Sequence, residues 1–421
     1  MKKKSILAMA LSLAVVSSFS ACGDFTTVNY DVPTYADDKQ ITIGAWSGSR
    51  HDLTDAELYN LKQAGFNLLV GLRPEKVTET EALDRCAEFG INVLLDQRPG
   101  HRPWSGEVPE YNDRENFWGY LMYDEPMPGD LMTLKRIKEE FDKKMKDKMF
   151  FVNLFPSGGV GDYREYVSSY IYDLGLPVVS YDNYSLFLDN ETQEIYVRDN
   201  YLYDFDVGSQ VAEEAGVPFW YTLLTAGHLN YTNPTKTELE WQMHLAMTYG
   251  AQGLVHYVYA SHDPDYEDTI VDMEGNPTEQ YYEIVEAHES ICSWDHIYMN
   301  FDWLATSNVE GTDVITGLLD WTSSQVDLNT YGVIESMTSD VDVLVGHFED
   351  ADKNAGFMVT NLTTPVEDIT ANVSVQLSSQ YKGALVINKG EETIVPLTKG
   401  ALDLEIEAGA ALFVIPLKAA K

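Results

Sequence analysis

A (β/α)8 barrel followed by a small all-β sandwich is the fold class this sequence predicts, and three observations predict it. From Gln40 onward, short apolar strands alternate with helical patterns until eight strands have been counted. Gly65, Gly90 and Gly216 each close a helix just before the next strand, as αβ loops require. Past about Leu304 the helical period stops, and short β-type segments separated by turns replace it.

The first strand is Ile41 to Trp46, followed by a helix from Asp52 to Gly65 with an acidic first turn. Phe66 to Leu72 is the second, with a helix over Glu79 to Phe89. The third is Ile91 to Asp96 and the fourth Gly119 to Tyr123, after which a charged helix spans Asp130 to about Lys148. Met149 to Phe155 precedes a helix near Tyr163 to Tyr172, and Pro177 to Asp182 precedes one over Val207 to Ala215. The seventh strand, Val217 to Leu224, leads into Thr235 to Tyr249, where Leu239, Met243 and Met247 keep helical spacing. Gly253 to Tyr259 is the eighth, and Glu279 to Ser293 the last helix. Several strands are unbroken apolar runs, as expected of parallel strands buried on both faces. A doubly wound open sheet is the alternative, but no GxGxxG or GxxxxGK[ST] follows an early strand. In the second part, Val341 to Phe348, Phe357 to Thr360, Asn372 to Leu377, Ala384 to Ile387, Thr393 to Leu397 and Ala411 to Ile415 read as strands.

The N-terminus reads as a targeting segment. Lys2 to Lys4 supply positive charge, and Ile6 to Val16 is an apolar run shorter than the ~20 residues of a membrane span. Phe19-Ser20-Ala21-Cys22 resembles the lipobox of bacterial lipoproteins, which implies export, cleavage and lipidation of Cys22. The expected layout is therefore a signal peptide over 1–22, a polar tether over 23–39, the barrel over 40–304 and the sandwich over 305–421. The tether is expected to hold the barrel away from the lipid, at an outer-membrane or cell surface or facing the periplasm.

The chain carries 67 acidic against 28 basic residues, a formal charge of −39 in 421 residues. That excludes nucleic acid as a partner, because phosphate contacts need clustered Lys and Arg. Besides Cys22, only Cys86 and Cys292 are present, without CxxC spacing; each reads as a small buried hydrophobe. His101, His228 and His256 show no HxH or HExxH spacing, so no catalytic metal or other cofactor is expected.

Functional groups of such barrels gather at the C-terminal ends of the strands. This sequence places there Trp46, Asp96 and Arg98, Asp124 and Glu125, Asn153, Tyr181, Asp182 and Asn183, Tyr221, and Tyr257. Rings that stack on apolar sugar faces, with acids and amides for hydroxyls, suit a carbohydrate. The segment Trp118-Gly119-Tyr120-Leu121-Met122-Tyr123-Asp124-Glu125-Pro126 resembles the fourth strand of TIM-barrel glycoside hydrolases of the cellulase and β-galactosidase type. The resemblance implies that Glu125 donates the proton to the glycosidic oxygen and that Asp124, in place of the usual Asn, contacts a sugar hydroxyl. By themselves, the residues also fit a strand end that opens a helix, where acids are favoured.

The resemblance departs at strand seven. Its retaining members carry a Glu nucleophile there, whereas Val217 to His228 holds no carboxylate. Asp182 is therefore expected as the second catalytic acid, with a ligand-binding or turn role as its alternative. Trp46, Asp96, Arg98, Asp124, Asn153, Tyr181, Asn183, Tyr221 and Tyr257 are expected to bind substrate, and Asp96 also fits an ion pair with Arg98. Two functions follow as expectations: a glycosidase acting on oligo- or polysaccharides, or a glycan-binding surface lipoprotein whose barrel has lost hydrolysis. A barrel hydrolase of a non-sugar bond is a third, since fold does not set function.

Overall fold

The structure, a computed structural model, describes residues 28–47, 53–101, 103–189, 191–192, 195–261, 263 and 265–420. The signal segment, Cys22, the start of the tether and Asp52 lie outside the described residues. Among the described residues no helix is long and apolar enough to cross a membrane.

Eight parallel strands form the barrel: β1 (Thr42–Trp46), β2 (Leu68–Leu72), β3 (Asn92–Asp96), β4 (Phe117–Asp124), β5 (Met149–Asn153), β6 (Val179–Asp182), β7 (Phe219–Leu224) and β8 (Gly253–Tyr257). Their spatial order is β5-β4-β3-β2-β1-β8-β7-β6. The ring closes where Leu154 N donates to Ser180 O at 2.7 Å. That cyclic order rules out the open doubly wound sheet.

Alternation sorts the side chains. Leu68, Val70, Leu94, Leu121, Phe151, Trp220 and Val255 point inward and fill the barrel. Gly253 makes room for this plug, since a Cβ there would sit 2.5 Å from the Trp220 ring. The outward residues pack under the helices α1 (Asp55–Gln63), α2 (Glu79–Glu88), α3 (Leu131–Lys144), α4 (Tyr163–Ser168), α5 (Tyr201–Ala215), α6 (Lys236–Thr248) and α7 (Glu279–Cys292). Thr54 with Glu57 and Thr235 with Glu238 form capping boxes that start α1 and α6. Gly216 ends α5 in the left-handed conformation (φ 65°).

Two connections depart from the regular pattern. Between β3 and β4 the described residues contain no helix; the loop lays Trp104 against Phe141 of α3, ring centroids 5.3 Å apart. Helix α5 begins at Tyr201, six residues before the expected Val207. The early turns are masked in sequence because Asp204 and Asp206 sit on the buried face. Asp204 accepts from Ser157 N and Asn183 Nδ2, and Asp206 from Ser323 N and Oγ. Burial pushes the Asp204 carboxyl up to about 7.

The second part begins at Phe301, so the expected 304/305 boundary falls inside the strand Phe301–Val309. This strand and Ile334–Ser339 escaped the sequence reading, because neither is a clean apolar alternation. A six-stranded sheet runs in the order Phe301–Val309, Val343–Asp350, Ala355–Asn361, Ala411–Leu417, Gly383–Asn388, Glu391–Pro396. A three-stranded sheet (Ile334–Ser339, Ala371–Leu377, Ala401–Ile406) covers one of its faces through Val345, Val359, Val373, Val375 and Leu402. Leu344, Met358 and Phe413 on its other face join the core of the barrel. Helix α6 is consequently buried from Glu238 to Thr248, with Thr248 Oγ1 2.5 Å from Thr360 Oγ1.

Behind β8, His256 and His288 form a buried pair, Nε2 to Nε2 at 2.8 Å, with His288 Nδ1 donating to Ala64 O at 2.6 Å. Burial lowers both imidazoles, His288 to about 4. Below about pH 6.5 the unfolded chain binds protons that the folded chain refuses, so stability falls as pH drops from 6.5 toward 4. Chemical denaturation at pH 5 should show about 2 kcal/mol lost through His288 alone, and a His288→Gln variant should lose correspondingly less between pH 7 and pH 5. Cys86 is buried as expected; Cys292, the final residue of α7, is exposed because it lies outside the buried stripe of that helix.

Candidate active site

The mouth at the C-terminal ends of the strands is built by parity, with one exception. On β6, Asp182 points inward, and on β5 Asn153 does the same. On β4 strict alternation from the inward Leu121 would aim Asp124 outward. A bulge between Leu121 and Tyr123 shifts the register so that Asp124 pairs with Asn153. Met122 and Tyr123 both turn out, and Asp124 turns in. The next residue, Glu125, takes a left-handed backbone (φ 51°), with its N–H donating to Asn153 O at 2.8 Å.

Asn153 organises the acids. Its Nδ2 donates to Asp182 Oδ1 at 2.5 Å and to Asp124 Oδ1 at 3.5 Å, so these two oxygens lie at most about 6 Å apart. Its Oδ1 accepts from Ser180 Oγ at 3.0 Å and Thr222 Oγ1 at 3.3 Å, which fixes the orientation of the amide. Arg98 completes the floor as a fork. Its Nε and Nη2 donate to Asp96 at 3.1 Å each, and its Nη1 to Asp124 Oδ2 at 2.9 Å. The guanidinium also lies over the Trp46 ring, 5.5 Å from its centroid.

Glu125 stands beside Asp182 and is one of the charges that raise it. Two neighbouring carboxyl groups titrate as a pair, since the charge of one disfavours ionisation of the other. Burial first, then the charges of Glu125 and Asp124, hold Asp182 well above the usual carboxylate range. Glu125, open to the mouth, is also raised by desolvation and by the Asp124 charge. Desolvation raises Asp124 too, opposed by the Arg98 charge and by hydrogen bonds from Asn153 and Arg98. All three carboxyl groups are thus held above the usual carboxylate range, Asp124 against the pull of the Arg98 guanidinium.

Opposite the acids stands an aromatic wall. Tyr257 meets Trp46 edge-on at 5.8 Å and stacks on Tyr184 at 5.6 Å. His228, its Nδ1 donating to Ala226 O at 2.8 Å, stacks on Tyr266 at 4.7 Å.

Of the expected site residues, Trp46, Asp96, Arg98, Asp124, Glu125, Asn153, Asp182 and Tyr257 come together here. Tyr181, Asn183 and Tyr221 do not, and their expected substrate contact is corrected. Tyr181 and Tyr221 point outward into the core, where Tyr221 Oη bonds Asn183 O at 2.7 Å. Asn183 is turned toward α5 and donates to Asp204. The same period of two that aims Asp182 inward selects Tyr184 as its neighbour at the mouth, a residue the sequence reading passed over. Tyr231 and Tyr266 come from loops after β7 and β8, where no periodicity marks them.

The left-handed backbone at Glu125 costs stability that only glycine would recover. Glu125→Gly should therefore be more stable than Glu125→Ala by about 1 kcal/mol in thermal unfolding, although both remove the carboxyl. Equal midpoints would show that the turn carries no strain.

No family model matches the chain, and no curated protein matches it. Among solved structures it resembles α-L-fucosidase isoenzyme 2 from Paenibacillus thiaminolyticus, at 8% identity and a TM-score of 0.54, over 91% of this chain and 100% of that one. It also resembles an Anoxybacillus α-amylase, at 10% identity and a TM-score of 0.51, over 90% of this chain and 98% of that one. At such identities the likeness is one of fold: a TIM barrel followed by a β-sandwich.

Proposed function

We propose that this chain is a glycoside hydrolase and that Glu125, Asp182 and Asp124 perform the reaction. The observation that carries this reading is the placing of three carboxyl groups at one barrel mouth: Glu125 open to it, Asp182 buried on Asn153, and Asp124 bonded to both Asn153 and Arg98. The fold likeness to a fucosidase and an amylase supports it.

Glu125, the member of the pair open to the mouth, delivers the pair's proton to the glycosidic oxygen, which leaves both groups as carboxylates. Asp124, rather than Asp182, then serves as the anionic partner. Its Oδ2 is bonded to the Arg98 guanidinium, which favours the anionic form, whereas Asp182 is buried. As the proton moves to the leaving oxygen, the Asp124 carboxylate attacks the anomeric carbon and the glycosidic bond breaks. Water, deprotonated by the same pair, then splits the glycosyl ester, which frees the sugar and restores the proton. The lipidated Cys22 expected from the sequence would hold this activity at a membrane surface.

The test is incubation with α- and β-linked oligosaccharides and 4-nitrophenyl glycosides, with the first-formed anomer read by NMR. Net retention is expected. Inversion would remove Asp124 as nucleophile. Binding of a glycan without any product would favour the lectin-like reading, which the carboxylate-free tip of β7 also suits.

A further inference from the structure

Beyond the mouth, the connection from β6 to α5 carries a two-stranded hairpin, Leu186–Leu188 paired with Ile195–Val197. Phe187 and Tyr196 sit opposite each other in its register and stack, centroids 5.7 Å apart and planes 17° off parallel. Phe187 packs on Tyr231 at 4.4 Å, and Tyr231 on Tyr184 at 5.4 Å. Tyr184 stacks on Tyr257, which meets Trp46 over the acids. An unbroken row of six rings thus leads from the acidic floor to the outer hairpin.

The outer end of this row is open. Tyr196, the outermost ring, is 49% exposed. The row is not purely apolar, because the Arg198 guanidinium lies 4.2 Å from the Phe187 centroid and donates to the Tyr231 hydroxyl. Aromatic faces edged by a guanidinium and phenol hydroxyls suit a ligand with apolar faces and a polar rim, as sugar rings have. The continuity of the row with the acids identifies the ligand as the same molecule that enters the mouth.

We infer that the Phe187–Tyr196 hairpin is an outlying sugar-binding subsite and that the substrate is a chain of several sugar units laid along the aromatic row. This rests on the glycosidase reading above and adds chain length to it.

The experiment uses the full chain with dimers and hexamers of the cello-, xylo-, manno- and chito-oligosaccharide series, together with a glycan array and 4-nitrophenyl monoglycosides. Calorimetric Kd and kcat/KM are measured for wild type, Tyr196→Ala and Tyr196→Phe. The hexamer that binds should do so more tightly than its dimer, and Tyr196→Ala should remove about tenfold of that difference. Tyr196→Phe, which keeps the ring, should stay within about twofold of wild type. Monoglycoside turnover should be the same in all three proteins. A hexamer that binds no better than its dimer overturns the inference, as does a Tyr196→Ala loss shared equally by the monoglycosides. If no glycan is retained at all, the glycosidase reading itself fails, and this inference with it.

Discussion

Replacing Glu125 by Gln is expected to lower kcat/KM by at least about a hundredfold, the low end of what a positioned general acid contributes. The backbone at residue 125 remains left-handed in this variant, and the amide can still bond Asp182, so the melting midpoint should stay close to wild type. The loss belongs to proton delivery and should therefore be smallest on substrates with good leaving groups, such as 2,4-dinitrophenyl glycosides. The pH profile provides a second reading. In the wild type turnover should decline as rising pH removes the pair's proton, and the upward shift of both groups places that decline at higher pH than for ordinary carboxyls. Without the Glu125 charge, one of the causes that raise Asp182 disappears, so any residual activity should lose its alkaline limb at lower pH. Wild-type rates in Glu125→Gln on every substrate would remove Glu125 from the mechanism.

Arg98→Ala is expected to be the most damaging single change to the floor of the mouth. The side chain of Asp96 is only 2% exposed, and Arg98 gives it two charge-assisted hydrogen bonds as well as one to Asp124. Removing the guanidinium leaves a buried carboxylate without its counter-charge, at a cost of about 3–5 kcal/mol. Arg98→Lys should recover only part of this, since an ammonium cannot span both carboxylates as a planar fork does. Thermal unfolding and kcat/KM measured together separate the outcomes. A protein as stable as wild type would show that Asp96 needs no partner.

Much of the barrel was legible because its signals are local. Apolar runs, glycine stops and acidic first turns each act within a few residues, and they located every barrel strand. Asp182 and Asn153 followed from the strand ends. What escaped depends on geometry that a one-dimensional count does not contain. The β4 bulge alters the parity of Asp124 by a single residue, so the count placed the acid pair correctly without explaining how it faces inward. Tyr181 and Tyr221 were chosen over Tyr184 because tyrosines at a strand tip look alike until parity is applied from Asp182. The first turns of α5 were lost because its buried face carries acids whose partners, Ser157 and Ser323, are distant in sequence.

The six-stranded sheet, covered on one side by its three-stranded companion and on the other by the barrel, also bears on how substrate gets in. Many two-lobed proteins admit and release ligands by hinging one lobe away from the other. Here such a motion would tear Leu344, Met358 and Phe413 out of a shared interior and expose an α6 that has no wet face. Any opening of the mouth is therefore left to the loops and hairpin at its rim rather than to a hinge between the two lobes.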